Sequence, residues 1–128
     1  GAPTPEPARP SMPGQAGRAV DTTGDAGRGT LEFGHYCSGC HGPEGVQGIP
    51  NPGSDDGSVP PLNPIDPTIY NSDPKIFATN VDLFIEHGSI PEGPNPQILM
   101  PRFGDANMLT PEMIADIIAY VLEINGAQ

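Results

Sequence analysis

Cys37-Ser38-Gly39-Cys40-His41 holds the only two cysteines of this 128-residue chain, and its spacing governs how the rest is read. On a helical turn, thiols three residues apart face the same side, and the histidine directly after them adds an imidazole. A thioredoxin-like dithiol belongs in a βαβ surrounding, and no alternating strand pattern is present. A zinc site takes four ligands; His35, His41 and His87 offer nitrogens, but no second ligand pair stands at zinc-like spacing. A disulfide between the two would close a very short ring and stabilise little. Covalent haem c attachment uses every residue of the motif: each thiol adds to one vinyl group, and the histidine lies under the iron as proximal ligand. Haem c fits best, and the other three stay as rivals.

Composition asks for such a group. Proline (18) and glycine (17) together exceed a quarter of the chain, seven residues are aromatic and none is Trp. A domain this poor in apolar mass needs a staple, such as disulfides, a metal or a large buried cofactor. Glycine has no period of three, which excludes collagen, and no apolar stretch nears the ~18 residues of a membrane span. The net charge is −11, from 16 acids against five bases. Nucleic acid is thereby excluded as a partner, since phosphate binding needs many Lys and Arg. A protein with a basic docking patch suits the surface better.

Residues 1–26 read as a flexible Pro/Gly-rich tether, with Pro3, Pro5, Pro7, Pro10 and Pro13 early in it. Pro-rich chain stays extended and spaces a domain from a membrane anchor, a lipid or a larger subunit. The domain itself is expected over 27–128. Leu31, Phe33 and Tyr36 suggest a short helix over Arg28–Tyr36. Eight prolines from Gly42 to Pro74 leave room only for a long loop, which in a small domain needs something to wrap. Two short helices are expected at about 75–79 and 81–87, the second with Val81, Phe84 and Ile85 on one face and Gly88 as its stop. Residues 88–104 return to loop. Thr110 is a good N-cap, Pro111 suits the first turn, and Ile114, Ile117, Ile118, Val121 and Leu122 repeat at helical spacing. The fold class is all-α, about three to five short helices with long loops wrapped around one haem.

With the attachment motif, three further features resemble the class I monohaem cytochromes c, over about residues 27–125. Gly29 and Phe33 stand eight and four residues before Cys37, like the glycine and aromatic of that family's N-terminal helix. Ile117 and Tyr120 match the apolar–aromatic pair of its C-terminal helix, which crosses the first at the small glycine. Met100-Pro101-Arg102-Phe103 resembles the Met-Pro-x-Phe segment that supplies the distal ligand. The resemblance implies His41 and Met100 as axial ligands. It also places Pro60-Pro61-Leu62 as the Pro-x-Leu segment whose carbonyl takes the His41 Nδ1 proton. Tyr70, Asn71 and Arg102 are candidates to meet the propionates.

Chemistry supports the same pairing. A thioether favours Fe(II) and raises the potential, and 60 residues between Cys40 and Met100 suffice to round the haem. Met108, Met113, Met12 and His87 remain rivals for the sixth position, the last giving a bis-His site. The resulting expectation is a periplasmic or extracytoplasmic one-electron carrier with no small-molecule substrate. It would run between a membrane-bound or periplasmic donor, such as a quinol-oxidising complex, and an oxidase or other acceptor, as a free shuttle or as a subunit anchored through sequence upstream of Gly1. The rival from another class is an enzyme or sensor haem domain with an open or labile sixth site.

Overall fold

In the computed structural model, which describes residues 14–127, the three longer helices each start where the sequence supplies a cap. In α1 (Ala26–Tyr36) the Asp25 carboxylate accepts from the Arg28 N–H at 2.9 Å. The single turn α2 (Ser38–His41) follows across Cys37. In α3 (Pro74–His87) Asp73 accepts from the Lys75 N–H at 2.9 Å, and Pro74 occupies the first turn. In α4 (Pro111–Ile124) Thr110 accepts from the Met113 N–H at 3.2 Å. Short 3-10 turns lie at Arg18–Asp21 and Pro43–Gly45. No strand is present among the described residues; two isolated bridges join Pro50 to Ser58 and Ser89 to Met100. The fold is all-α.

The core forms where α1 crosses α4. Gly29 is buried there, and a Cβ at that position would run into the Asp116 carbonyl, so only glycine permits the approach. One turn on, the Phe33 and Tyr120 rings sit 5.1 Å apart, within the range of favourable aromatic pairs. Phe77, Val81 and Ile85 of α3 and Ile114, Ile117 and Val121 of α4 complete the buried cluster. Leu31, one of the apolar residues that suggested the first helix, is exposed.

Two expectations need correction. Residues 75–79 and 81–87 form one helix rather than two. Asn80, between them, lies inside the helix, and its Nδ2 donates sideways to the Ile69 carbonyl at 3.0 Å. The second concerns the tether. Residues 1–13 lie outside the described residues, whereas residues 14–25 rest on the helices. Ala19 is buried, the Gly17 N–H donates to Asp82 Oδ2 at 2.8 Å, and the Asp25 N–H donates to Asp116 Oδ1 at 2.8 Å. Contacts with the helical body thus begin before Gly27. Backbone groups and one alanine make them, which leaves no hydrophobic period to read.

Candidate functional site

Cys37 ends α1 and starts α2, so Cys40, His41 and Cys37 share one tight turn: the N–H groups of Cys40 and His41 both donate to the Cys37 carbonyl, at 3.2 and 3.0 Å. The two thiols are free. Burial, and then the neighbouring Cys40, pushes the Cys37 thiol up to about 12.

The chain after His41 is stitched back onto the motif by backbone bonds. Ile49 N–H donates to the Cys40 carbonyl at 2.9 Å, and Val59 N–H to the Ile49 carbonyl at 2.9 Å. Leu62 and Asn63 N–H both reach the Gly45 carbonyl, at 2.7 and 3.1 Å. These bonds bring Pro60 beside the imidazole, where His41 Nδ1 donates to its carbonyl at 2.8 Å. Burial holds His41 below its ordinary pKa, against the opposing pull of that carbonyl. With Nδ1 carrying the proton, Nε2 keeps its lone pair free for a metal.

On the distal side, α3 ends at Gly88 with φ of 69°, a left-handed turn natural to glycine. The chain then runs so that Ser89 and Met100 exchange two backbone bonds: Met100 N–H to the Ser89 carbonyl at 2.9 Å, and Ser89 N–H to the Met100 carbonyl at 3.2 Å. A partly open cavity of about 560 Å³ is enclosed between the two halves. Its wall includes Cys37, Cys40, His41, Pro60, Leu62, Phe33, Met100 and Phe103 from the sequence-expected set. Tyr70, Asn71 and Arg102 do not line it. The exposed Tyr70 ring sits 5.1 Å from Phe77, and Asn71 Oδ1 accepts from the Asp73 N–H at 2.8 Å.

The rivals for the sixth position lie elsewhere. His87 is buried with both ring nitrogens engaged, Nδ1 with Asp105 Oδ2 at 2.9 Å and Nε2 with the Gln15 carbonyl at 2.6 Å. Burial opposes its charge, but Asp105, Gln15 and Glu86 outweigh that and raise its pKa. Met108 is exposed, Met113 packs against the core, and neither lines the cavity. Met12 lies outside the described residues. No group of three or more His, Cys, Asp or Glu side chains able to hold a metal ion occurs among the described residues.

Several wall residues were not expected at the site. Val81, Phe84, Ile85, Ile117 and Val121 carry a sequence signal, the apolar face of a helix, but that signal points to a core rather than a cofactor wall. Asn51, Ile98 and Leu99 lie in loops and carry none.

The donor set and wall fit haem c: paired thiols, an imidazole with one free nitrogen, one thioether, and a mainly apolar lining with Asp55, Asp56 and Glu92 at its edge. The family model described as cytochrome c oxidase, cbb3-type, subunit III matches residues 24–121. Comparison with curated proteins returned no match, and comparison with solved structures returned none.

Proposed function

The chain belongs to this cbb3-type cytochrome c family and carries a covalent haem c for extracytoplasmic electron transfer, and we propose that it takes single electrons from a membrane-bound or periplasmic donor, such as a quinol-oxidising complex, to an oxidase or other acceptor. When bound, haem iron supplies a one-electron Fe(III)/Fe(II) couple. Cys37 and Cys40 would hold the group through thioethers. His41 would bind the iron through Nε2, the ring being fixed in orientation by its Nδ1–H bond to Pro60. Met100 would supply the second ligand, a thioether that would favour the reduced iron. Phe33, Leu62 and Phe103 supply apolar wall to the cavity. No residue is asked to make a bond to a substrate.

One observation carries this reading: Met100 lies in the same cavity wall as the attachment motif, while His87 is tied to Asp105 and Gln15. A spectroscopic redox titration of the haem-loaded protein tests it. A low-spin spectrum with a Met–iron band and a clearly positive potential is expected. Met100→Ala should abolish the band, lower the potential and allow carbon monoxide to bind. A low potential without the band in the wild type would refute the ligand assignment.

Partner chemistry follows from the cavity edge. Asp55, Asp56 and Glu92 line the cavity and are exposed, as are Ile90 and Leu99. An acidic rim with apolar members suits a partner whose basic patch surrounds an apolar centre. No helix among the described residues is long and apolar enough to cross a membrane. Attachment to a larger complex through the N-terminal segment is the tethered form of this proposal.

A further inference from the structure

Asn51 is 1% exposed, stands in the cavity wall, and lies in a loop without regular structure. Its side-chain amide pairs with both backbone groups of a single residue of the distal loop. Nδ2–H donates to the Ile98 carbonyl at 3.0 Å, and Oδ1 accepts from the Ile98 N–H at 2.8 Å. A side-chain amide has one donor face and one acceptor face, so it substitutes for the neighbouring backbone of a strand. Asn51 is itself held. Its N–H donates to the Gly57 carbonyl at 2.9 Å, and its carbonyl accepts from the Ser54 hydroxyl at 2.8 Å. Flanking backbone bonds run from Gln97 N–H to the Pro52 carbonyl at 3.0 Å and from Asn95 N–H to the Gly53 carbonyl at 3.1 Å. Two residues after Ile98 comes Met100, whose own peptide groups are paired with Ser89.

We propose that Asn51 is a positioning residue for Met100: by fixing the backbone of Ile98 on both sides it keeps the thioether in the cavity and disfavours the state in which the sulfur has swung away and an outside ligand takes its place. The inference rests on Met100 being the axial ligand. It deepens that assignment by naming what holds the ligand in register. Alanine makes neither bond to Ile98. Aspartate retains the acceptor and loses the donor, setting a carboxylate against the Ile98 carbonyl.

The test titrates the ferric, haem-loaded full chain with imidazole and follows loss of the Met–iron band. Imidazole competes only with the distal ligand, so its apparent affinity reports the population of the Met-released state. Asn51→Ala should tighten imidazole binding about tenfold, the size expected from losing a bidentate buried contact, and Asn51→Asp by at least as much, since it sets a buried oxygen against the Ile98 carbonyl. Thr110→Ala removes the α4 cap, outside the cavity wall; it should lower the unfolding midpoint and leave imidazole affinity at the wild-type value. If Asn51→Ala does not fold, the aspartate variant carries the comparison. Unchanged affinity in the folded Asn51 variants, or an equal gain in Thr110→Ala, overturns the positioning role while the band leaves Met100 standing. Absence of the band in the wild type overturns both.

Discussion

Two glycines of α1, five residues apart, should respond to the same substitution with opposite signs. Gly34 is exposed, and a Cβ there meets nothing within 4 Å. Gly34→Ala therefore gains only helix propensity, about 0.5–1 kcal/mol of stability. Gly29→Ala gains the same backbone preference, so that contribution cancels when the two variants are compared. What remains is steric. The new methyl would strike the Asp116 carbonyl and stand 3.0 Å from Tyr120 Cβ, and backbone on α4 cannot step aside as a flexible side chain can. Separating two packed helices to admit one methyl costs about 1–3 kcal/mol. Part of the Phe33–Tyr120 ring contact, about 0.5–1.5 kcal/mol in a well-formed pair, is withdrawn with it. Gly29→Ala should thus lie about 1–4 kcal/mol below Gly34→Ala. Guanidinium unfolding of the haem-loaded variants, followed by far-UV circular dichroism, measures the difference. Equal midpoints at equal slope would show that α1 and α4 do not depend on glycine to approach, and the account of the core would fall.

Two other measurements probe charge. Glu32 is pushed up to about 7 by burial and then by Asp116, and Glu86 to about 7 by burial and then by Asp82. A carboxyl whose folded pKa exceeds its unfolded 4.5 binds protons more tightly when folded. Its contribution is complete below 4.5 and lost as pH rises through about 7. Stability should therefore fall between those values, and Glu32→Gln or Glu86→Gln should flatten the profile in denaturation series across that range; a wild-type profile that rises instead rejects the assignment. At the cavity edge, Asp55→Asn, Asp56→Asn and Glu92→Gln together should slow electron exchange with a cationic redox protein by roughly tenfold at low ionic strength, and by little at high salt. Stopped-flow rates over a salt series decide this, and an equal effect at all salt concentrations argues against electrostatic docking there.

The parts of this protein legible in its sequence are those where one residue has one physical use. Thr110 and Pro111 set the start of α4, and the isoleucine spacing set its buried face, because capping and periodicity act within a few residues. Gly29 was legible as a crossing point only together with Tyr120, through resemblance. The cavity wall was half legible. Val81 and Ile117 announce burial, but an apolar face looks the same whether it meets a side chain or a cofactor. Asn51 was not legible at all. Its importance comes from Ile98, 47 residues away, and no local pattern encodes a bond of that span. The docking of residues 14–25 was hidden for the same reason: the Gly17 N–H finds its acceptor on Asp82, 65 residues distant.

The same long-range bonds resolve a tension between composition and function. A chain this rich in proline and glycine has the signature of disorder, yet an electron carrier needs surroundings that change little between oxidation states. The loops meet this demand without regular structure by bonding to one another. Residues 51–57 and 92–98 share backbone contacts at Asp55–Glu92, Asn95–Gly53 and Gln97–Pro52. Glycine allows the strands of loop to approach: Gly53, at φ of 87°, lies so close that a Cβ would collide with the Asn95 carbonyl. Proline restricts the conformations open to the unfolded chain, which reduces the entropy lost in fixing a long loop. Each residue type that looks like a marker of disorder thus has a specific use here, provided a cofactor fills the space that the loops enclose. Stiffness around Met100 is therefore a property of the pairing between loops, and substitutions that break that pairing should reach Met100, the proposed ligand, before they reach the fold.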